Sequence, residues 1–144
     1  CEFAYATLAT SGTTIGSIAN NGNSNVSYNT SSDYRLKQDI SSITDAISSL
    51  KKLTPRKFRW KNDLDLGYQD GFIAHEVQET GIFSHLVTGE KDGTEEAKND
   101  PDTIIPAYQQ MDYSKLTPTL VAAVQELSAE IESLKSEIAA LKSN

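Results

Sequence analysis

The sequence predicts an α+β protein that begins with short β-strands, continues into a small globular α+β domain and ends in a long helix with a parallel coiled-coil pattern. Three observations support this fold class. Residues 1–30 contain short alternating runs separated by turn-rich breaks, and the middle of the chain changes between strand-like and helical periodicity. From Leu120 onward, apolar residues follow an unbroken heptad spacing.

Length and charge limit the classes of function. The chain has 144 residues, enough for one compact domain with some appended structure. Its net charge of −7 argues against nucleic acid or an anionic membrane as the main partner, and no apolar run approaches the roughly 20 residues of a membrane span. The single cysteine, Cys1, allows no intramolecular disulfide. Because the chain begins with Cys1, we expect it to be a segment of a longer protein.

The first 30 residues predict two or three short strands. The runs "EFAYATLAT", "TTIGSIAN" and "SNVSYNT" are separated by the turn-like breaks "SGT" and "NNGNSN". Strands this short need further partners to bury a core. Those partners lie either in the following domain of the same chain or in other copies of the chain.

The next segment, Ser41 to Leu53, predicts a helix. Ile43, Ile47 and Leu50 form an apolar stripe at helical spacing, and either Ser41 or Ser42 is suited to cap its start. The Thr54-Pro55 pair then ends the helix.

Mixed structure follows the helix. "RKFRW" (Arg56–Trp60) alternates like a strand, "GFIAHEVQET" (Gly71–Thr80) begins as a strand and becomes helical, and "SHLVTG" is a short extended piece. The segment Glu90–Pro106 is acidic and predicts a loop. Its carboxylates do not follow the alternate-position register of a Ca²⁺ loop, so we expect a solvated acidic loop and no metal site.

The carboxy-terminal segment carries the strongest pattern. Its apolar residues, here called the seam, are spaced four and three residues apart: Leu120, Val124, Leu127, Ile131, Leu134, Ile138 and Leu141. Glu130 and Glu137 occupy g positions, and Lys135 and Lys142 occupy the e positions that they meet in a parallel assembly. A terminal helix packed on its own domain would not explain these matched charges. β-Branched residues at a with leucine at d favour two strands.

Conventional enzyme motifs are missing. The sequence contains no glycine-rich phosphate loop, H-E-x-x-H, G-x-S-x-G or cysteine nucleophile motif. His75 lacks a second histidine at metal-ligand spacing, which favours a structural or surface role.

Ser32 and Lys37 allow two interpretations. A helix cap followed by a solvated lysine explains the spacing without chemistry. Alternatively, a neutral lysine can activate a serine hydroxyl, provided that desolvation or nearby positive charge favours the neutral amine. Arg35 supplies such a charge close in sequence, whereas Asp33 would oppose the effect.

An ordered series of motifs distinguishes these interpretations. It comprises "GTTIGSI", "YNTSSDYRLKQDI", "LKKLTPRKFRW", "GFIAHEVQE" and "MDYSKLTPTLVAAVQEL", followed by the heptads. In this order the motifs resemble the carboxy-terminal intramolecular chaperone domain of bacteriophage tailspikes, tail fibres and neck appendages, the self-cleaving peptidase S74 family. The resemblance covers nearly the whole chain from Ser11.

The resemblance implies a homotrimer that holds three fibre chains in register and then releases itself. It implies Ser32 as the nucleophile, Lys37 as its base and a cut between Ser31 and Ser32. His75, Asp33 and Arg35 are assisting candidates. The implied segments are 1–31, the end of a β-rich fibre; 32–118, the globular chaperone; and 119–144, the trimerisation helix. We give the implied trimer precedence over the two-stranded preference of the seam.

The expected partners are further copies of the chain and the preceding fibre domain, with no cofactor, nucleic acid or membrane. The expected location is a tail-fibre or tailspike precursor assembled in the cytoplasm of a bacterial host. The main alternative is a trimeric fibre tip or receptor-binding module that does not cleave. A self-cleaving, membrane-tethered transcription factor ranks lower, because this segment has neither a basic patch nor a membrane span.

Overall fold

A computed structural model describes residues 3–20 and 25–143 as an α+β arrangement of short antiparallel strands and a long terminal helix. The strands are β1 (Phe3–Thr10), β2 (Thr13–Asn20), β3 (Val26–Thr30), β4 (Arg56–Phe58), β5 (Gln69–Gly71), β6 (Val87–Thr88), β7 (Thr94–Ala97), β8 (Asp100–Pro106) and β9 (Gln110–Met111). The α-helices are α1 (Ala46–Leu50), α2 (Ala74–Glu79) and α3 (Thr117–Lys142), and one-turn 3-10 helices cover Tyr34–Leu36, Ser84–Leu86 and Tyr113–Leu116. Among these residues, no helix combines the length and apolar character needed to cross a bilayer.

The chain divides into two compact units, Cys1–Ser42 and Ile43–Asn144. In the first unit, β1, β2 and β3 form an antiparallel sheet in that order, which confirms the predicted strands. Ser11 and Gly12 both have positive φ (50° and 79°), as a two-residue hairpin turn requires. The second predicted turn falls on Asn20–Asn25, of which residues 21–24 lie outside the described part of the chain.

The sheet of the first unit has little core of its own. Ala19 is buried, whereas Leu8, Ile15 and Val26 are exposed. Gly16 pairs with Thr30 at the last position of the β2–β3 ladder. A Cβ at Gly16 would lie 2.9 Å from the Asn29 carbonyl oxygen, so glycine lets β3 approach β2 there.

The core of the second unit is one apolar cluster. Its buried members are Val77 of α2, Phe83 and Leu86 of the following turns, Val87 of β6 and Leu116. Leu116 is the last residue of the 3-10 turn that leads into α3. Packing of Leu116 in this cluster therefore holds the start of α3 against the globular part of the unit.

The first predicted helix is shorter than expected. It spans Ala46–Leu50 rather than Ser41–Leu53, and neither Ser41 nor Ser42 caps it. Asp45 precedes it in a left-handed conformation (φ 55°) without a side-chain capping bond. The Glu126 carboxylate of α3 accepts the N–H groups of Ala46 (2.8 Å) and Ile47 (3.0 Å) instead. A residue far along the chain thus performs the role predicted for a local serine.

The predicted strand Arg56–Trp60 is also shorter and ends at Phe58. Trp60 forms an isolated bridge with Asp63, and its ring meets that of Phe58 edge-on with centroids 5.3 Å apart. The change from strand to helix predicted within Gly71–Thr80 is confirmed, since β5 ends at Gly71 and α2 spans Ala74–Glu79.

Within "SHLVTG", only Val87–Thr88 is extended, because Ser84–Leu86 form a 3-10 turn. The predicted loop Glu90–Pro106 is wrong for most of its length. It contains the antiparallel hairpin β7–β8, in which Thr94 pairs with Pro106. Every residue of β8 is exposed, so no alternation of buried and exposed positions reveals this strand in the sequence.

Helix α3 begins at Thr117, with Pro118 in its first turn, where proline is favoured. One face of its first turns packs against its own unit through Ala123 and through the Glu126 bonds to α1. The seam lies on another face, and its side chains remain 46–76% exposed in the single chain. The long helix is confirmed, whereas the coiled coil and the homotrimer stay predictions.

Candidate functional site

The candidate site begins where β3 ends. The Ser31 N–H donates to the Ile15 carbonyl of β2 (2.9 Å), and the Ser31 hydroxyl donates to the adjacent Thr14 carbonyl (3.1 Å). These bonds extend the contact between β2 and β3 by one residue beyond the Gly16–Thr30 pair. Ser32 follows directly after this anchored residue.

A one-turn helix then turns the chain back. The Leu36 N–H donates to the Asp33 carbonyl (3.1 Å), and the Lys37 N–H donates to the Tyr34 carbonyl (3.0 Å). The backbone is extended at Asp33, tightens through Tyr34–Leu36 and is extended again at Lys37. Ser32 and Lys37 are five residues apart in the sequence. The turn shortens the distance between them and brings their side chains into contact.

The Lys37 ammonium nitrogen donates to the Ser32 hydroxyl oxygen at 2.7 Å. The structure thus brings the two predicted residues together within one chain, and both are exposed. With the amine neutral, the same separation would let the hydroxyl donate its proton to Nζ. The arrangement meets the geometric requirement for a general base and its nucleophile.

Asp33 and Arg35 hold the turn. The Asp33 carboxylate accepts the Arg35 backbone N–H (2.9 Å) and also receives the guanidinium through Nε (2.9 Å) and Nη2 (2.7 Å). The Arg35 side chain and backbone hydrogen bonds keep the pKa of Asp33 below its ordinary value. The opposite charges of the two side chains neutralise each other. Their ion pair and the bond to the Arg35 backbone N–H stabilise the turn. Their roles as assisting residues stay predictions.

His75 lies in the second unit, in the first turn of α2, and is half-buried. It lines a cavity of about 250 Å³ together with Glu90, Lys91, Asp92, Gly93, Pro106, Ala107, Tyr108 and Gln109. The adjacent Glu76 pairs with Arg56 of β4 through two 2.9 Å hydrogen bonds, which keep the pKa of Glu76 below its ordinary value. The assisting role of His75 stays a prediction.

Sequence reasoning missed the part of the site that lies on β2. Thr14 and Ile15 contribute backbone carbonyls, which every residue type carries, so the sequence contained no signal for them. In the described part of the chain, no group of three or more His, Cys, Asp or Glu side chains is arranged to hold a metal ion.

Comparison with known families identifies residues 32–88 as an intramolecular chaperone domain. This segment belongs to the Peptidase S74 family, described as chaperone of endosialidase. The match begins at Ser32 and includes Lys37 and His75. A search among curated proteins finds no match to the chain. The family description supports a general chaperone role for this segment.

Proposed function

We propose that this protein is the self-releasing chaperone end of a trimeric phage tail fibre or tailspike. Three copies associate through the seam and the globular unit, align the fibre chains before them, and cut themselves between Ser31 and Ser32. The observation that carries the proposal is the 2.7 Å contact between Lys37 Nζ and Ser32 Oγ within the family segment. Assembly would take place in the cytoplasm of the bacterial host, and the chaperone part would leave after cleavage.

The chemistry begins with neutral Lys37. Its amine takes the proton of the Ser32 hydroxyl, and the oxygen attacks the carbonyl carbon of Ser31. The peptide C–N bond breaks, the proton passes to the leaving nitrogen, and an ester joins Ser31 to the Ser32 oxygen. Water then hydrolyses the ester, leaving a carboxylate on Ser31 and a free amino terminus on Ser32.

The exposed surroundings of the dyad support a link between assembly and cutting. Tyr34, Leu36 and Ile40 lie within three residues of Ser32 or Lys37 in the sequence and are 62–75% exposed in the single chain. Large apolar side chains exposed together commonly mark an interaction surface. When further copies cover them, Lys37 loses water, and desolvation favours the neutral amine over the ammonium. Cleavage would then follow assembly and act as a check on completed folding.

The seam supports association in parallel. Its apolar side chains are largely exposed in the single chain, and the flanking g and e charges match between parallel copies. A parallel assembly places the three Ser31–Ser32 junctions at the same end. Removal of the chaperone would leave a fibre that is kinetically stable, because it cannot easily unfold and refold without its chaperone.

Mass spectrometry of the purified chain provides the test. We expect the parent to shorten to residues 32–144, and Ser32→Ala and Lys37→Arg to stay intact. Arginine keeps the positive charge but cannot act as a base, so Lys37→Arg separates charge from proton transfer. Lys61→Ala, which removes an exposed lysine elsewhere, is the control and should be cut like the parent. A parent that stays at full length after proven assembly contradicts the protease and favours the non-cleaving fibre tip.

Mixed assemblies test which chain supplies the base. The contact between Ser32 and Lys37 lies within one chain, so we expect assemblies of Ser32→Ala chains with Lys37→Ala chains to remain uncut. Cleavage in the mixture would require a Lys37 to serve the Ser32 of a neighbouring copy.

A further inference from the structure

The residue before the proposed cut is held more firmly than its exposed position suggests. Ser31 donates twice to β2, through its N–H to Ile15 (2.9 Å) and through its hydroxyl to Thr14 (3.1 Å). On the other side of Ser32, the Asp33 carboxylate caps the 3-10 turn. The Ser31–Ser32 peptide therefore lies between two anchored segments.

We propose that the Ser31 hydroxyl is a positioning and specificity determinant for self-cleavage. Together with the Thr14 and Ile15 carbonyls it forms a clamp, here called the β2 clamp, that holds the residue before the cut. The β2 clamp favours serine or threonine at this position, because only a β-hydroxyl reaches the Thr14 carbonyl as Ser31 does. This inference rests on the proposed function.

The physical reason lies in the geometry of the attack. The Ser32 oxygen must approach the Ser31 carbonyl carbon. If the backbone at the end of β3 rotated freely, this carbon would occupy many positions relative to the oxygen, and few of them would allow the attack. Restricting the backbone before the reaction removes this entropic cost from the barrier. The Ser31 N–H bond restrains the strand on one side of the carbonyl. The hydroxyl bond adds a second restraint and opposes fraying at the end of β3.

The same sheet provides a matched control. Ser27 on β3 donates its hydroxyl to the Ala19 carbonyl of β2 at 3.3 Å, so Ser27→Ala removes the same kind of bond from the same strand pair, away from the cut. Loss of general sheet stability would affect both serine variants, whereas loss of the β2 clamp affects only Ser31→Ala.

The first experiment measures the rate of self-cleavage at fixed concentration of assembled chains. We expect Ser31→Ala to slow cleavage about five-fold, the factor that corresponds to about 1 kcal/mol for one hydrogen bond. Ser31→Thr should restore most of that rate, and Ser27→Ala should cleave like the parent. The proposal is overturned if Ser31→Ala cleaves at the parental rate, or if Ser27→Ala slows cleavage as much.

The second experiment uses the Lys37→Ala chain, which is expected to remain uncut, and measures hydrogen exchange of the backbone amide at position 31. We expect the added substitution Ser31→Ala to make this exchange several-fold faster, after correction for intrinsic rates, and Ser27→Ala to leave it unchanged. Equal protection with and without the hydroxyl would refute the β2 clamp whether or not the parent cleaves. A parent that never cleaves while protection does depend on the hydroxyl would instead refute the proposed protease.

Discussion

Leu116, which ends the 3-10 turn before α3, and Leu120, which lies on the seam, test which apolar side chains stabilise the single chain and which stabilise its association. Leu116 and Leu120 lie four residues apart in the sequence, and each can be changed to alanine with the same loss of atoms. Leu116 is 6% exposed within the apolar cluster, whereas Leu120 is 49% exposed on the seam. The structure therefore predicts that one substitution weakens the folded chain and the other weakens its association.

The expected magnitudes follow from burial. Leu116→Ala removes a side chain from a closed cluster and should lower the free energy of unfolding by about 3 kcal/mol. For a domain of this size, that corresponds to a fall in melting temperature of about 10 °C or more. Leu120 keeps half of its surface in water in the single chain, so Leu120→Ala should cost about 1 kcal/mol or less there. The larger cost of Leu120→Ala should arise only when copies associate.

Urea denaturation followed by circular dichroism can separate the two effects. It would be measured at a concentration where sedimentation shows single chains and at one about 100-fold higher. We expect the loss caused by Leu116→Ala to be similar at both concentrations, and the loss caused by Leu120→Ala to grow at the higher one. If Leu120→Ala destabilises single chains as much as Leu116→Ala, the assignment of Leu120 to an association surface is wrong.

Two further predictions concern α3. The backbone N–H groups of α1 keep the pKa of Glu126 below its ordinary value of 4.5, so its contribution to stability is present above that value and lost as the pH falls toward the lowered one. Unfolding measured between about pH 6 and pH 3 should show a flatter acid dependence in Glu126→Gln than in the parent, while the exposed control Glu132→Gln should follow the parent. An identical acid profile for Glu126→Gln would contradict the capping role. Ile131→Asp places a charge on the seam and should reduce both association, measured by sedimentation, and self-cleavage, measured by mass. Ala129→Asp adds the same charge away from the seam and should leave both nearly unchanged; normal cutting by monomeric Ile131→Asp would break the link between assembly and cleavage.

Much of the fold could be predicted from local periodicity in the sequence. The strands of the first unit, the turn from β5 into α2 and the long helix α3 each follow a pattern contained within a few neighbouring residues. The hairpin β7–β8 could not be predicted in this way. Both of its strands lie largely in water, so polar residues occupy positions that alternation would otherwise mark as buried.

The candidate site shows the same division. The types and order of Ser32 and Lys37 are present in the sequence, and family resemblance selected them from many serines and lysines. Their 2.7 Å contact, however, depends on a turn that Asp33 caps and on a strand end that β2 holds. A spacing of five residues alone does not place two side chains together.

The sequence by itself determined the heptad helix, because its periodicity lies within consecutive positions, and it contained the residue types of the candidate pair, Ser32 and Lys37. Only the tertiary structure decided where α1 begins and what holds Ser31. Glu126 lies 80 residues from Ala46, and Thr14 lies 17 residues from Ser31. Both contacts end on backbone N–H or C=O groups, which are the same in nearly every residue. Such contacts form only when folding brings distant segments together, so no local pattern of side chains predicts them.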